Sequence, residues 1–472
     1  MPLSAPEADA EDRVRPGRPE VAGFATAAVA GVVLSAAIAR GGPILLSRWT
    51  ILGRLALWAA AWGLAVICAL RLPRRVAVPA VVAVAALLRL AALAGPPTLS
   101  DDLHRYSWDG RVQAAGINPY RHPPDSPALA PLREPSLWPD PAGCERLEPS
   151  RPAGCTRINR PAARTIYPPL AQGWFNAVYR LTGIDARHKA WQVAGLAGDM
   201  ALVCVLPLVL RAWGRDERWT ALYALSPFPV VDIVNNAHVD GLAALFAILA
   251  LFAAARRRAG LAGGLLGAAT LVKLYPALLL LAFCRTSFRR KSGVLVAWAA
   301  AAGVVAAGYL PHVVGVGSRV LGYLPGYLRE EQYGSGGRYL VAGLLGLPAG
   351  ATAVVAFAGV AAVVVWVAVR QPPPPQAAAA LFATLLLATT PVQPWYAATL
   401  LAVATVAARP AWAAVTAAGY PYFFAVILDA PSQVAIGRVS YGVALAVVAG
   451  VAWRRHRRRV MRPTYGNARA GP

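Results

Sequence analysis

Polar positions along this chain interrupt long apolar runs instead of alternating with apolar ones. Val21 to Ile38, Val76 to Ala94, Val239 to Ala255 and Val294 to Leu310 approach or reach the roughly 20 apolar residues that carry a helix across a bilayer core. Lipid offers backbone N–H and C=O groups no partner, so such runs are expected to be helical. They are built of Ala, Leu, Val and Gly without the period-two pattern of a membrane barrel strand, which excludes a barrel. The expected fold class is an all-α polytopic membrane protein.

Composition agrees. Of 472 residues 57% are hydrophobic and only 14% charged, against about one quarter charged in soluble proteins. The net charge of +24 does not point to nucleic acid, because its carriers flank the apolar runs. Arg71, Arg74 and Arg75, then Arg211, Arg215 and Arg218, Arg256 to Arg258, Arg285 to Lys291, and Arg454 to Arg459 read as the basic residues that short cytoplasmic loops retain. Taking each cluster as cytoplasmic predicts spans near 20–39, 52–70, 76–94, 190–210, 219–234, 239–255, 293–313, 349–369, 377–392, 396–408, 411–428 and 437–453, about twelve crossings with both termini cytoplasmic. The stretch before Val21 mixes acids, Arg and Pro and predicts no cleaved signal peptide.

The resulting organisation is a cytoplasmic tail (1–19), three transmembrane helices (20–94), a large extracytoplasmic loop (95–189), the remaining bundle (190–453) and a basic cytoplasmic tail (454–472). One segment departs from the alternation. Gly260 to Cys284 could span once, yet basic clusters bound it on both sides, and Lys273 and Pro276 fall near its middle. A re-entrant pair of half-helices satisfies the charges, since irregular backbone at that depth is tolerated where it lines a cavity. A single Pro-kinked helix is the other reading. The loop 95–189 is too long for an ordinary connection; it holds 9 of the 22 acidic residues, and "IYPPLAQGWFNAVYRL" (Ile166 to Leu181) suggests short interfacial helices. Cys144 and Cys155 share this loop, where a disulfide is permitted; no ligand spacing around them suggests a metal. "QPPPPQ" at Gln371 to Gln376 reads as a stiff cytoplasmic linker.

The chemistry-bearing residues cluster on the non-cytoplasmic side of this map. In "TLSDDLHRYSWDG" a helix capped by Ser100 and ended at Gly116 puts Asp101 and Asp102 in its first turn, where carboxylates complement the helix dipole. The helical period also aligns Asp102, Arg105 or Tyr106, and Asp109 over about 10 Å, more polarity than capping requires. "NNAHVDG" supplies Asn236, His238 and Asp240. Lys273 in "LVKLYP" and Arg89 in the third span are cations within apolar segments, which mark a site or snorkel to an interface. "TPVQPWYAA" offers Gln393, Trp395 and Tyr396, and "YLREEQYGSGGRYL" leads to Arg338. No phosphate loop or dinucleotide fingerprint occurs, so a group-transfer enzyme on this face needs a donor activated and delivered by lipid. A sugar on a polyprenyl phosphate meets that need. Its leaving phosphate calls for cations such as Lys273, Arg105 or Arg338, and the acceptor hydroxyl calls for a carboxylate base.

"SDDLHRYSWDGRVQAAGINPY", "TIYPPLAQ", "NNAHVDG", "LVKLYP" and "PVQPWY" resemble, in that order, segments of bacterial GT-C glycosyltransferases, most closely the polyprenyl-phosphate-mannose-dependent mannosyltransferases around glycosyltransferase family 87. The resemblance implies a GT-C-type bundle in a bacterial plasma membrane. It implies transfer of a hexose, mannose first, from a lipid-linked donor to a glycan or glycolipid acceptor, with inversion and an Asp base in the first large outer loop. Asp101 and Asp102 match that base, with Asp102 favoured by its face. The resemblance brings Lys273 and His238 toward the donor phosphate and sugar; Arg105, Asp240, Arg338, Gln393 and Tyr396 are further candidates for that site from their chemistry and placement. It implies membrane lipids as partners and no nucleic acid. No cofactor beyond the donor is expected; a divalent ion on Asp101 and Asp102 stays open, and no metal ligands are assigned. In this chain the large loop follows three predicted spans, where the superfamily usually has one. The alternative function is a secondary transporter with a midplane site at the broken helix around Lys273. It lacks a second, matching interruption elsewhere in the chain.

Overall fold

The computed structural model describes residues 17–147, 155–183, 187–284, 287–288, 292–333 and 337–460. Most of the expected N-terminal tail, the end of the basic C-terminal tail and most of the Arg285 to Lys291 cluster lie outside the described residues. All regular elements described are helical. In chain order they are α1 (Arg18–Ala39), α2 (Ile44–Arg71), α3 (Arg74–Ala92), α4 (Asp102–Ala114), α5 (Pro141–Leu147), α6 (Pro169–Thr182), α7 (His188–Ala212), α8 (Asp240–Ala255), α9 (Ala259–Val272), α10 (Gly293–Val316), α11 (Leu324–Glu330), α12 (Ala349–Arg370), α13 (Pro374–Thr389), α14 (Ala397–Val406), α15 (Ala413–Ile427) and α16 (Gln433–Val460), with shorter turns between them.

Seven of the described helices, α1, α2, α3, α7, α10, α12 and α16, are long and apolar enough to cross a membrane, and shorter apolar helices such as α8, α9 and α13 lie among them. The protein is a polytopic helical membrane protein. The stretch expected as a fifth crossing, 219–234, is not one α-helix. It breaks into Thr220–Ala224, Pro227–Pro229 and a widened turn over Val230–Asn235, because Pro227 and Pro229 have no N–H to continue an α-helical ladder.

Both ends of the bundle can be traced by contacts. At one end sit Arg18, Arg71, Arg74, Arg211, the Arg256 to Arg258 turn and Arg370; there Arg218 donates to the Leu72 carbonyl at 3.0 Å and Arg74 Nε lies 3.7 Å from Asp216 Oδ1. At the other end the chain after α3 meets α1 and α7. A Cβ at Gly95 would run into the Ala39 carbonyl, and Lys189 Nζ donates to the Gly95 carbonyl at 2.9 Å. The start of α8 and the end of α9 belong to this second end.

The expected half-helix pair has a structural counterpart. α9 stops at Val272, Lys273 is extended (φ −143°, ψ 144°), and a 3₁₀ segment follows over Tyr275–Ala282. Cys284 Sγ then reaches 3.7 Å from the Val367 carbonyl near the end of α12, so the segment returns toward the end from which α9 started. "QPPPPQ" is not a free linker: Pro374 and Pro375 are buried in the first turn of α13, where a missing N–H costs nothing.

Three helices precede the loop that carries α4 to α6. Within the loop α4 lies against α6, brought close by Gly110, where a Cβ would stand 2.6 Å from the Phe175 carbonyl oxygen. Leu103, Tyr106, Tyr167, Phe175 and Trp191 form an apolar cluster that seats α4 and α6 on α7. Cys144 and Cys155 are joined by a disulfide.

Candidate active site

The helix carrying the paired aspartates starts one residue later than the sequence suggests. Asp101 is the residue before its first turn and Asp102 its first residue; Ser100 Oγ accepts the Asp102 N–H at 3.2 Å. Gly116, at φ +77°, lies just beyond its end.

The two aspartates have different surroundings. Asp101 is exposed. Asp102 Oδ1 accepts from Asn159 Nδ2 at 2.8 Å, and its Oδ2 accepts from the Tyr167 hydroxyl at 3.2 Å. His238 Nδ1 stands 3.6 Å from the same Oδ2, and the Asp102 side chain keeps 19% exposure. A substrate can therefore reach this carboxylate while two donors fix its orientation. Asp109, on the same helical face, is closed off: it pairs with Arg105 Nε at 3.0 Å with its side chain 3% exposed, and its Oδ2 accepts from Gln172 at 2.8 Å. Arg105 also donates to the Ala163 carbonyl at 3.0 Å.

Lys273 faces Asp102 across Tyr167. Its Nζ sits 3.1 Å from Asp240 Oδ2 and 5.1 Å from the ring centres of both Tyr167 and Tyr396. Lys273 closes α9, its N–H bonded to the Ala269 carbonyl at 3.0 Å, and its side chain lines the cavity. Tyr275 donates to Asp240 Oδ1 at 3.0 Å. Desolvation, and next the Asp102 carboxylate, push the Tyr167 phenol well above its usual range, so it remains a donor to Asp102. His238 is buried and stacked on Trp395 with ring centres 3.8 Å apart. Burial drives its imidazole down to about 3, against the opposing pull of Asp102, with Lys273 adding to the lowering.

A cavity of about 590 Å³ opens over these groups. Asp101, Asp102, Arg105, Lys273, Gln393 and Tyr396 line it, as do Asn159, Arg160, Arg164 and Tyr167. A second space of about 750 Å³ adjoins it, lined by Leu328, Phe357, Phe382, Leu385 and Leu386; the two share Tyr275, Tyr327 and Tyr396 as a common wall. Tyr327 holds that wall together, its hydroxyl 3.3 Å from Gln393 Oε1 and 3.2 Å from the Tyr396 hydroxyl.

The chain matches glycosyltransferase family 87 over residues 166–394, just under half its length. That stretch is similar to the family, and the chain is a glycosyltransferase. No curated protein and no solved structure matches the chain. The matched part of this glycosyltransferase contains Tyr167, His238, Asp240, Lys273, Arg338 and Gln393, whereas Asp101, Asp102, Arg105 and Tyr396 lie outside it.

Not every residue singled out in the sequence reaches the cavity. His238 and Asp240 stand behind Asp102 and Lys273 as their partners and do not line the space. Arg338 lines neither space: its Nε pairs with Glu331 at 2.8 Å and its guanidinium bonds the Tyr422 hydroxyl. Arg89 is committed to the bundle. It pairs with Asp199 at 2.6 Å, both side chains fully buried, and Tyr223 donates to the other Asp199 oxygen at 2.5 Å. Among the described residues no group of three or more His, Cys, Asp or Glu is placed to hold a metal ion.

Asn159, Arg160, Arg164 and Tyr167 were not singled out in the sequence. They sit in an irregular stretch before α6, where no periodicity assigns a face; Tyr167 alone of the four falls in a segment that carries the resemblance, "TIYPPLAQ".

Proposed function

We propose that this glycosyltransferase transfers a sugar, mannose in the first instance, from a polyprenyl-phosphate donor to a hydroxyl of a glycan or glycolipid acceptor, inverting the anomeric centre. The acceptor oxygen attacks the anomeric carbon from the face opposite the phosphate. Its proton passes to the Asp102 carboxylate, and the bond from the anomeric carbon to the phosphate oxygen breaks with its electron pair leaving on the polyprenyl phosphate. Lys273 offsets the charge that develops there. Asn159 and Tyr167 orient the base, and His238, neutral, packs against it. No step as written needs a metal ion.

The observation that carries this reading is the placement of Tyr167. Its hydroxyl donates to Asp102 and its ring lies under the Lys273 ammonium, which puts a carboxylate and a cation on one side chain's two ends inside one cavity. The apolar space behind the tyrosine wall suits the isoprenoid chain of the donor. The basic residues gathered at the far end of the bundle support a cytoplasmic location for that end, and hence catalysis at the non-cytoplasmic face of the membrane.

The test supplies purified protein in lipid with radiolabelled polyprenyl-phosphate mannose and, separately, with a soluble nucleotide mannose. Label passing to a lipid-extractable or glycan product from the first donor alone supports the proposal. Transfer from the nucleotide sugar alone would overturn the donor assignment.

A further inference from the structure

We propose that Asn236 is the positioning residue that sets Asp102 in the cavity, an inference that rests on Asp102 being the base. Between α3 and α4 the chain runs through Thr98, Leu99 and Ser100, whose N–H groups belong to no helix. Asn236 Oδ1 receives all three, from Thr98 at 3.0 Å, Leu99 at 2.7 Å and Ser100 at 3.1 Å. Thr98 and Leu99 are buried, and unpaired backbone donors there would be costly.

The Asn236 amide meets this place with its acceptor and its donor together. Asn236 Nδ2 donates to the Val231 carbonyl at 2.9 Å, which fixes the amide so that its oxygen faces 98–100. Asn235 works beside it, accepting from the Thr98 N–H at 3.1 Å and donating to the carbonyls of Ala92 at 3.0 Å and Pro96 at 3.1 Å. Ser100, held by Asn236 through its N–H, in turn holds the Asp102 N–H with its hydroxyl.

The next residue explains how one turn reaches both the backbone and the carboxylate. Ala237 is left-handed, at φ +57°, a conformation that non-glycine residues seldom adopt. The reversal lets Asn236 take the N–H groups before α4 while His238 stands 3.6 Å from Asp102 Oδ2. The turn thus fixes the start of α4 and the position of its first side chain together. A displaced general base loses rate without losing substrate affinity, and a misplacement of about 1 Å can cost about 100-fold.

The experiment compares kcat and donor KM of Asn236→Leu, which keeps size without an acceptor, and Asn236→Asp, which keeps the acceptor, with Asp102→Asn as control. Amide hydrogen exchange is followed over 98–102. The expected result for Asn236→Leu is a kcat lower by about 100-fold, a KM within about twofold of wild type, and faster exchange confined to 98–102. Asn236→Asp should recover at least a tenth of the wild-type kcat. Wild-type kcat in Asn236→Leu, unchanged exchange over 98–102, or a loss borne by KM would each overturn the proposal. Should Asn236→Leu not fold, Asn236→Asp decides: kcat as low as in Asp102→Asn overturns it, and a recovered kcat supports it. Wild-type activity in Asp102→Asn instead removes the base assignment, whatever Asn236 does.

Discussion

The ammonium of Lys273 stands 3.1 Å from the Asp240 carboxylate, at the point where α9 gives way to an extended residue. A buried pair of this kind is not built for stability, since its desolvation offsets much of its attraction. In the proposed reaction its place at the cavity wall lets the cation turn from Asp240 to the departing phosphate. Replacing Lys273 by Met should lower kcat/KM for the lipid donor by about 100- to 1000-fold, the size expected when one preorganised charge is removed. Lys273→Arg should retain more activity than Lys273→Met. Steady-state transfer assays check both; a Met variant within threefold of wild type contradicts the role.

The neutral state of His238 has a pH signature. Its folded value near 3 lies below the unfolded value of about 6.5, so acidification protonates the unfolded chain first. Stability should fall as pH drops below about 6.5, by at most about 1.4 kcal/mol per pH unit from this one group. His238→Gln should flatten that part of the stability curve, as read by thermal unfolding in detergent at pH 7.5, 6.0 and 5.0. Above pH 5 the imidazole in the wild type takes up no proton, so it contributes no inflection to the rate profile.

The apolar space behind Tyr275, Tyr327 and Tyr396 gives a prediction about donor chain length. Each buried CH₂ contributes about 0.8 kcal/mol, and Leu385 lies on the wall of that space. Leu385→Trp should raise KM for a long-chain donor about tenfold or more and leave KM for a donor with two isoprene units nearly unchanged. Equal effects on the two donors would place the chain elsewhere.

Much of this arrangement is legible in the sequence because membrane physics constrains it tightly. Basic residues at Arg71, Arg211 and Arg256 mark one end of their helices, and an ammonium beside Pro276 in an apolar run marks the break at Lys273. Asp102 stands out as a carboxylate in a chain poor in acids. What escapes is long-range pairing. Arg89 and Lys273 carry the same signal in the sequence, yet Asp199 takes Arg89 into the bundle while Lys273 lies at the cavity; no local pattern separates those fates. Arg338 likewise has Glu331 and Tyr422 as partners. Asn159 and Tyr167 reach Asp102 from an irregular segment whose path depends on how α6 seats on the bundle. The expected fifth crossing runs between the two ends as a broken stretch, because Pro227 and Pro229 interrupt its helix.

The central claim is that one of two adjacent carboxylates accepts the acceptor's proton, and it is tested most directly by single-turnover transfer from a radiolabelled polyprenyl-phosphate sugar. Asp102→Asn should slow the chemical step by about 100- to 10,000-fold, with donor binding retained, and Asp101→Asn should stay within about tenfold of wild type. A full-rate Asp102→Asn, or a loss confined to Asp101→Asn, would contradict the account.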